Sequence, residues 1–287
     1  MNDTLEIKRE AQLRETARRL LEDGTVGYII GWGTTRFEDK TAPLFAAKPE
    51  EADRLVWNEY CINSLAKYSL DDKYPEKKIG ICVRGCDSRA VNRLVNDKQI
   101  ERENLFLIGM PCSGKENSVC EGCSHKNPVV YDILIGEPVE ENTEEKASAE
   151  RFREIEEFEK MSPDERYEFW AKQYDKCIRC YACRNICPAC SCKECYADQY
   201  MVGWQGKQNN RAESQVYGLT RAYHVGDRCI ECGECERVCP MGLPIMRQTK
   251  KMLKDINDLF GNYECGVESE RAPVLGEYDL TDRDEFM

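Results

Sequence analysis

CIRCYACRNICP at residues 177–188 and CIECGECERVCP at residues 229–240 share the pattern C-x2-C-x2-C-x3-C-P. This is the spacing with which bacterial iron–sulfur proteins hold [4Fe–4S] clusters. One copy would be suggestive, whereas two copies, each closed by a proline, argue strongly against coincidence. The sequence therefore predicts a chain that carries electrons.

The two runs are expected to exchange one ligand each. A tightly wound C-x2-C-x2-C loop points three thiolates at one set of irons, and the fourth cysteine binds the other cluster in two-cluster ferredoxins. We call the first predicted group of ligands set one: Cys177, Cys180, Cys183 and Cys239. The second group is set two: Cys229, Cys232, Cys235 and Cys187. The prolines that follow, Pro188 and Pro240, fix φ and lack an N–H, which suits a sharp exit from each loop.

Zinc and disulfides are the alternatives for these thiols. Structural zinc favours paired CxxC knuckles separated by a longer loop, and two consecutive four-cysteine runs fit that pattern poorly. The chain has 18 cysteines, and its first residues, MNDTLEIKRE, lack the apolar core of a secretory signal. Short CxxC loops without such a signal indicate metal or redox sites in a reducing compartment. We therefore expect a cytoplasmic protein, from an anaerobic setting because exposed clusters are sensitive to oxygen.

Charge and hydropathy exclude some partners. The 287 residues carry a net charge of −12 and show no basic patch, so a nucleic-acid partner is not expected. The longest apolar runs, at residues 26–30 and 105–108, are far too short to span a membrane. Neither the G-x-G-x-x-G nor the G-x4-G-K-[ST] nucleotide motif is found in the sequence.

Residues 1–140 show the pattern of an α/β domain. Helical spacing of apolar residues is found at 5–22, 49–70 and 88–96, and strands are predicted at 26–30, 78–83, 104–109 and 129–135. Strands that alternate with helices indicate a sheet with mostly parallel pairing. The predicted fold is thus an α/β N-terminal domain followed by an α+β two-cluster ferredoxin-like module with helical connections.

A helical linker at residues 141–175 is expected to join the two parts. Residues 137–150 are acidic and poor in apolar side chains, so we expect a solvated linker, and residues 151–160 have helical character. Ser162, Pro163 and Glu165 then form the pattern of a capping box with proline at the first helical position. The dicluster module is predicted at 176–260, with an insertion at 190–228, and an acidic tail at 261–287 that wraps a surface.

A third group of cysteines lies in the α/β domain. Because ligands bind at the carboxyl ends of the strands in open α/β sheets, cysteines that follow two strands could converge there. We call this group set three, the predicted ligands of a third [4Fe–4S] cluster: Cys86, Cys112, Cys120 and Cys123. Zinc bound by the same residues, or thiols without a ligand, are the alternatives.

The remaining cysteines and the two histidines have simpler interpretations. Cys82 lies within a predicted strand and Cys61 on a predicted helix, so both are expected in the core, while Cys265 is expected to be incidental. Cys190, Cys192 and Cys195 could supply a further cluster or replace one ligand, but packing beside the clusters is favoured. His125 and His224 could replace a cysteine on iron, although a role as a hydrogen-bond partner is favoured.

The sequence resembles a known family of redox subunits. KKIGICVRGCDSRAVNRL (77–94) followed by NLFLIGMPCSG (104–114) is similar to the paired strand–Cys–helix elements in the beta subunits of deazaflavin-coenzyme-reducing hydrogenases and formate dehydrogenases. DKCIRCYACRNICP (175–188) and DRCIECGECERVCPMGLP (227–244) resemble the dicluster ferredoxin domain that accompanies those elements. The similarity spans roughly residues 75–250.

The resemblance implies an electron-transfer role within a larger complex. Such subunits pass electrons between clusters and a flavin, and they work with hydrogenase, formate dehydrogenase or heterodisulfide-reductase-like partners. It also implies that Arg84, Gly85 and Arg89, with Arg93, could meet the pyrophosphate of FAD at the start of a helix.

Three functional hypotheses follow, in decreasing order of support. In the leading one, the chain is an electron-relay subunit of a soluble multi-subunit oxidoreductase, with two ferredoxin-type clusters, a third in the α/β domain and no substrate chemistry of its own. In the alternative, it is a flavin-containing subunit that itself reduces a deazaflavin or a similar acceptor near Gly85 and Cys86. A structural zinc module is a third, weaker alternative.

Overall fold

The structure is a computed structural model that describes residues 2–70, 77–114, 120, 122–143, 151–199, 201–268 and 274. Its strands are β1 (Tyr28–Thr34), β2 (Thr41–Ala46), β3 (Ile79–Val83), β4 (Leu105–Gly109) and β5 (Ile133–Leu134). Its helices are α1 (Asn2–Glu22), α2 (Gly85–Asn96), α3 (Arg153–Glu159), α4 (Pro163–Lys176), α5 (Ala182–Ile186), α6 (Arg211–Val225), α7 (Glu234–Arg237) and α8 (Ile245–Phe260). Short 3-10 helices cover Pro49–Arg54, Ala66–Leu70, Arg102–Asn104 and Tyr196–Asp198.

The five strands form one sheet in the order β2-β1-β3-β4-β5. β1 pairs with β3, β3 with β4 and β4 with β5 in parallel, while β2 is antiparallel to β1 at one edge. Val83 at the end of β3 lies opposite Gly109 at the end of β4. The segments that leave these two strands therefore start side by side at the same edge of the sheet, as the sequence predicts for set three.

The sheet is buried between its connections. Every residue of β3 is buried, which explains its continuous apolar sequence, because a parallel strand covered on both faces shows no polar alternation. The same hydrophobic core extends into the cysteine-rich half of the chain, where it includes Ile230, Leu253, Ile256 and Tyr263. The predicted α/β and dicluster parts thus share one core, and the predicted division at residue 140 stays a prediction.

The predicted helix at 49–70 is wrong. The chain forms a 3-10 helix at Pro49–Arg54 and another at Ala66–Leu70, with an irregular stretch between them. In that stretch the Val56 N–H donates to the Trp32 carbonyl at 2.8 Å, and the Trp57 N–H donates to the Glu10 carboxylate at 2.9 Å. These backbone groups bind β1 and α1 instead of completing a helical turn.

Three further differences concern strands. β2 was not expected from the sequence, and β5 covers only two residues of the strand predicted at 129–135. Across residues 151–199 and 201–268 the structure has helices and loops but no strand, so the β component expected of an α+β module is not found there. Residues 144–150 of the acidic linker and most of the acidic tail beyond residue 268 lie outside the described residues.

The predicted capping box is confirmed. The Ser162 hydroxyl accepts a hydrogen bond from the Glu165 N–H at 3.3 Å, and the Glu165 carboxylate accepts one from the Ser162 N–H at 2.8 Å. α4 begins at Pro163 and ends at Lys176, so it delivers the chain directly to Cys177. Among the helices that the structure describes, none is long and apolar enough to cross a membrane.

Candidate iron–sulfur sites

The two cysteine runs have the same backbone conformation. Two and four residues after the first cysteine, the first run has positive φ at Arg179 (47°) and Tyr181 (59°). At the equivalent positions the second run has positive φ at Glu231 (59°) and Gly233 (72°). A residue other than glycine costs about 1–2 kcal/mol when it adopts the left-handed conformation. Because three such residues adopt it at equivalent positions of the two runs, the surrounding structure must enforce this loop conformation. Each loop leads into a short helix, α5 or α7.

The thiols of set one surround a small cavity. A space of about 30 Å³ is lined by all four of its cysteines, three from the first run and Cys239 from the second. Tyr217, from α6, lies beside it with its hydroxyl 4.0 Å from Cys183 Sγ. The structure therefore brings the fourth cysteine of the second run to the first three of the other, which is the arrangement that exchanged ligation requires.

The thiols of set two lie in a buried environment around Cys187. Burial raises the pKa values of Cys229, to about 11, and of Cys232 and Cys235, and in all three the neighbouring Cys187 thiol adds to the rise. The Cys190 thiol donates a hydrogen bond to Cys187 and thereby lowers its pKa. Buried thiols of this kind release their protons when a metal binds, because the positive charge replaces the lost solvation.

The thiols of set three also converge. Burial raises the pKa of Cys86 well above its ordinary value, and the Cys123 and Cys112 thiols add to that rise. The Cys112 N–H donates to the Lys126 carbonyl at 2.8 Å, and the Cys123 N–H donates to the Cys120 carbonyl at 3.3 Å. Gly85, in the first turn of α2, lies against the His125 carbonyl, so the segment that carries Cys123 packs on the turn where Cys86 lies.

Sets two and three are neighbours. A cavity of about 330 Å³ is lined by Cys86, Cys120 and Cys123 of set three and by Cys232 of set two. The pKa of Cys232 is raised chiefly by burial and by the Glu234 carboxylate. The thiols of Cys187, in set two, and Cys86, in set three, add to the rise. Set two therefore lies beside set three, and its ligand Cys187 belongs to the run that supplies three ligands of set one. Across the described residues, no three His, Cys, Asp or Glu side chains are grouped as the ligands of a single metal ion.

The residues implied for flavin binding make contacts within the protein. Arg84 is buried, and its Nε donates to Asp87 at 2.7 Å while Nη1 donates to the Cys61 carbonyl at 2.7 Å. Gly85 lies against the backbone of the loop that carries His125. Arg89 Nε donates to the Cys265 carbonyl at 3.0 Å, although its Nη2 is buried without a hydrogen-bond partner. Arg84 and Gly85 therefore do not fit a pyrophosphate in this conformation, and flavin binding there stays a prediction.

The two histidines make polar and aromatic contacts. His125 Nε2 lies 2.7 Å from a Glu264 carboxylate oxygen, next to set three. Burial of Glu264 opposes ionisation, but the hydrogen bond with His125 and the charges of Arg89 and Arg151 lower its pKa to about 2. His224 packs edge-on against Tyr196, with ring centroids 5.3 Å apart. The acidic segment that begins at Glu264 is thus attached to the α/β part by this pair.

The remaining cysteines differ in burial. Cys61, Cys82 and Cys265 have no exposed surface, which confirms the first two as core residues, although Cys61 does not lie on a helix. The carbonyl of Cys265 accepts the Arg89 hydrogen bond, so this residue is more than incidental. Cys190, Cys192 and Cys195 all line a larger cavity of about 610 Å³, together with His224. Their role as ligands stays open.

The sequence did not single out Arg221. This residue of α6 is 4% exposed, lines the same cavity, and donates from Nη2 to the Cys183 carbonyl at 3.3 Å. A signal was present, because Tyr217, Arg221 and Val225 are spaced by four residues and form the buried face of α6. An arginine on an otherwise apolar helix face between two metal-binding runs is a candidate for contact with them.

Comparison with known proteins agrees with this geometry. Residues 173–243 match the family model of the 4Fe-4S dicluster domain. The beta subunit of F420-dependent formate dehydrogenase from Methanocaldococcus jannaschii is 32% identical, over 81% of this chain and 85% of the relative. The beta subunit of F420-dependent formate dehydrogenase 1 from Methanococcus maripaludis is 22% identical over 90% of both chains. The beta subunit of sulfhydrogenase 2 from Pyrococcus furiosus is 22% identical over 48% of this chain and 60% of the relative.

The fold and the thiol sets define an iron–sulfur protein with a 4Fe-4S dicluster domain attached to an α/β sheet. The chain belongs to the family of iron–sulfur beta subunits that includes the F420-dependent formate dehydrogenase beta subunits. It is an iron–sulfur electron-transfer subunit of an oxidoreductase complex.

Proposed function

We propose that this subunit holds three [4Fe–4S] clusters, one in each thiol set, and relays electrons between a dehydrogenase-type catalytic partner and an acceptor. When bound, such clusters accept and donate single electrons. The observation that supports the proposal is the closeness of the thiol sets, since the cavity next to set three is also lined by Cys232 of set two, and each cysteine run supplies ligands to both set one and set two. Closely spaced centres are what a relay requires.

The chain's own residues would serve three purposes in this role. The cysteines supply the ligands, and all of them except the exposed Cys180 are buried or half-buried, which limits the access of water to the metal sites. The fixed charges and hydrogen-bond donors around the thiols, such as the Cys190 thiol on Cys187, adjust the potentials of the bound groups.

The partner would be a catalytic subunit of a formate dehydrogenase or hydrogenase, because both kinds of complex have beta subunits similar to this chain.

The test is anaerobic co-purification from the native cell, with iron, sulfide, zinc and flavin counted on one sample. Three cubanes require about twelve irons per chain, four in each. About eight irons would limit the clusters to the dicluster domain, and zinc with little iron would contradict the proposal. A Cys61→Ala variant is the matched control, because this thiol lies in the hydrophobic core outside the three sets and its removal should leave the iron content unchanged.

The alternative, a subunit that itself reduces a deazaflavin, would be favoured by a flavin released from the same sample by acid. Arg89 is the residue of the implied flavin site that supports it, because its Nη2 is buried without a partner beside the cavity next to set three. An Arg89→Gln variant that lost flavin while retaining all its iron would favour this alternative.

A further inference from the structure

Arg221 is a buried cation surrounded by thiols. Its Nε is buried without a hydrogen-bond partner, and a single bond from Nη2 to the Cys183 carbonyl fixes the side chain. The side chains whose ionised form would act most on its charge are four cysteines rather than carboxylates: Cys187, Cys235, Cys190 and Cys183. A buried charge without a paired opposite charge is unfavourable, so its presence requires a compensating interaction.

The position of Arg221 links the two halves of the dicluster domain. Cys183 belongs to set one, whereas Cys187 and Cys235 belong to set two. The hydrogen bond from Nη2 reaches the Cys183 carbonyl at 3.3 Å, and Cys187 follows Cys183 by one helical turn at the end of α5. Arg221 also lines the cavity that Cys190 lines, and the Cys190 N–H donates to the Cys187 carbonyl at 3.1 Å. One guanidinium therefore lies where ligands of both sets meet.

We propose that Arg221 is a shared cation that raises the reduction potentials of both clusters in the dicluster domain. The inference rests on the proposed ligand sets one and two. Reduction adds one negative charge to a cluster, and a fixed positive charge in a low-dielectric interior stabilises that product. Arginine suits this role because its guanidinium is not deprotonated in proteins.

Lys67 offers a comparison within the same structure. Its Nζ donates to the carbonyls of Arg184 at 3.0 Å and Cys190 at 2.8 Å. The Cys190 N–H in turn donates to the carbonyl of Cys187 at 3.1 Å, so Lys67 is linked to a ligand of set two. The two cations thus predict different patterns, with Arg221 affecting both clusters and Lys67 affecting the cluster of set two.

The test is a redox titration of the anaerobically purified complex, followed by paramagnetic resonance, for wild type and four variants of charged residues. Two further variants, Cys180→Ser for set one and Cys232→Ser for set two, assign the signals. We expect Arg221→Gln to lower the reduction equilibrium constant of both clusters about tenfold, which is about 59 mV for one electron. Arg221→Lys retains the charge and should restore both potentials, and Lys67→Gln should shift the set-two signal alone. Arg211→Gln is the control on the same helix, since this exposed residue pairs with Asp175.

The proposal is overturned if Arg221→Gln leaves both potentials unchanged, or if Arg221→Lys shifts them as much as Arg221→Gln does. If Arg221→Gln does not assemble its clusters, the result from Arg221→Lys decides. This variant retains the charge, so reduction equilibrium constants that differ tenfold from those of wild type would contradict an electrostatic role. Wild-type protein without two cubane signals from the dicluster domain would instead contradict the ligand sets. Two normal wild-type signals with an unshifted glutamine variant would contradict the role of Arg221 alone.

Discussion

A Cβ atom placed on Gly85 would lie 1.9 Å from the carbonyl oxygen of His125. The first turn of α2, which carries Cys86, therefore packs directly on the backbone of the loop that carries Cys120 and Cys123. Glycine at this position is explained by the approach of two backbone segments, because any side chain would separate them. The contact holds the two parts of set three together.

Gly85→Ala should consequently disturb set three before the other sets. We expect a loss of about 1–3 kcal/mol of stability from overpacking, and a loss of up to about four irons per chain. Iron analysis and the midpoint of anaerobic thermal unfolding measure the two effects. Gly203→Ala is the control, because a Cβ there meets nothing within 4 Å and only its positive φ of 73° is unfavourable. Full iron content in Gly85→Ala would show that this contact does not maintain the site.

Exchanged ligation gives a second prediction. Cys239→Ser should alter the cluster of Cys177, Cys180 and Cys183, since these four residues line the same small cavity although Cys239 lies in the other run. Paramagnetic resonance of the reduced protein should show the change in the set-one signal. Cys187→Ser is the reciprocal variant and should alter the set-two signal. A change confined to set two in Cys239→Ser would contradict the exchange.

The third set can be tested by its removal. Replacing Cys86, Cys112, Cys120 and Cys123 together by serine should remove about four irons per chain and leave the dicluster signals in place. The matched control is Cys61→Ala with Cys82→Ala, which also removes thiols from the α/β part but from its fully buried core. If the quadruple variant kept all its iron, set three would hold no cluster.

Local patterns in the sequence located the elements that carry the thiols. The strand that ends at Val83, the capping box at Ser162 and both cysteine runs depend on short-range chemistry, which the sequence displays directly. The helix predicted at 49–70 is wrong, because Leu55 and Val56 fit a helical apolar pattern but pair with β1 instead. Long-range pairing of this kind overrides local propensity. Arg221 was likewise not identified, because its importance depends on two runs meeting around α6.

The helix cap at Ser162 allows a prediction about stability alone. Ser162→Ala removes the acceptor of the Glu165 N–H and should cost about 1 kcal/mol. The cap lies at the far end of α4 from Cys177, so iron content should be unchanged. Thermal unfolding and iron analysis on the same sample check both statements. Ser162→Asp, which restores a capping acceptor, should recover the stability, and an alanine variant that loses iron would show that α4 positions Cys177 through its whole length.

The pair of His125 and Glu264 gives a prediction about pH. Because the pKa of Glu264 is lowered from its ordinary value of 4.5 to about 2, its ionised form stabilises the folded chain fully above pH 4.5. This contribution is lost as the pH falls from 4.5 toward 2. Glu264→Gln should therefore unfold at a lower temperature than wild type at pH 5, and this difference should shrink as the pH falls below 4.5. Glu140→Gln, at an exposed carboxylate, should match wild type throughout. A wild-type advantage that had already vanished at pH 6 would contradict a carboxylate with a lowered pKa.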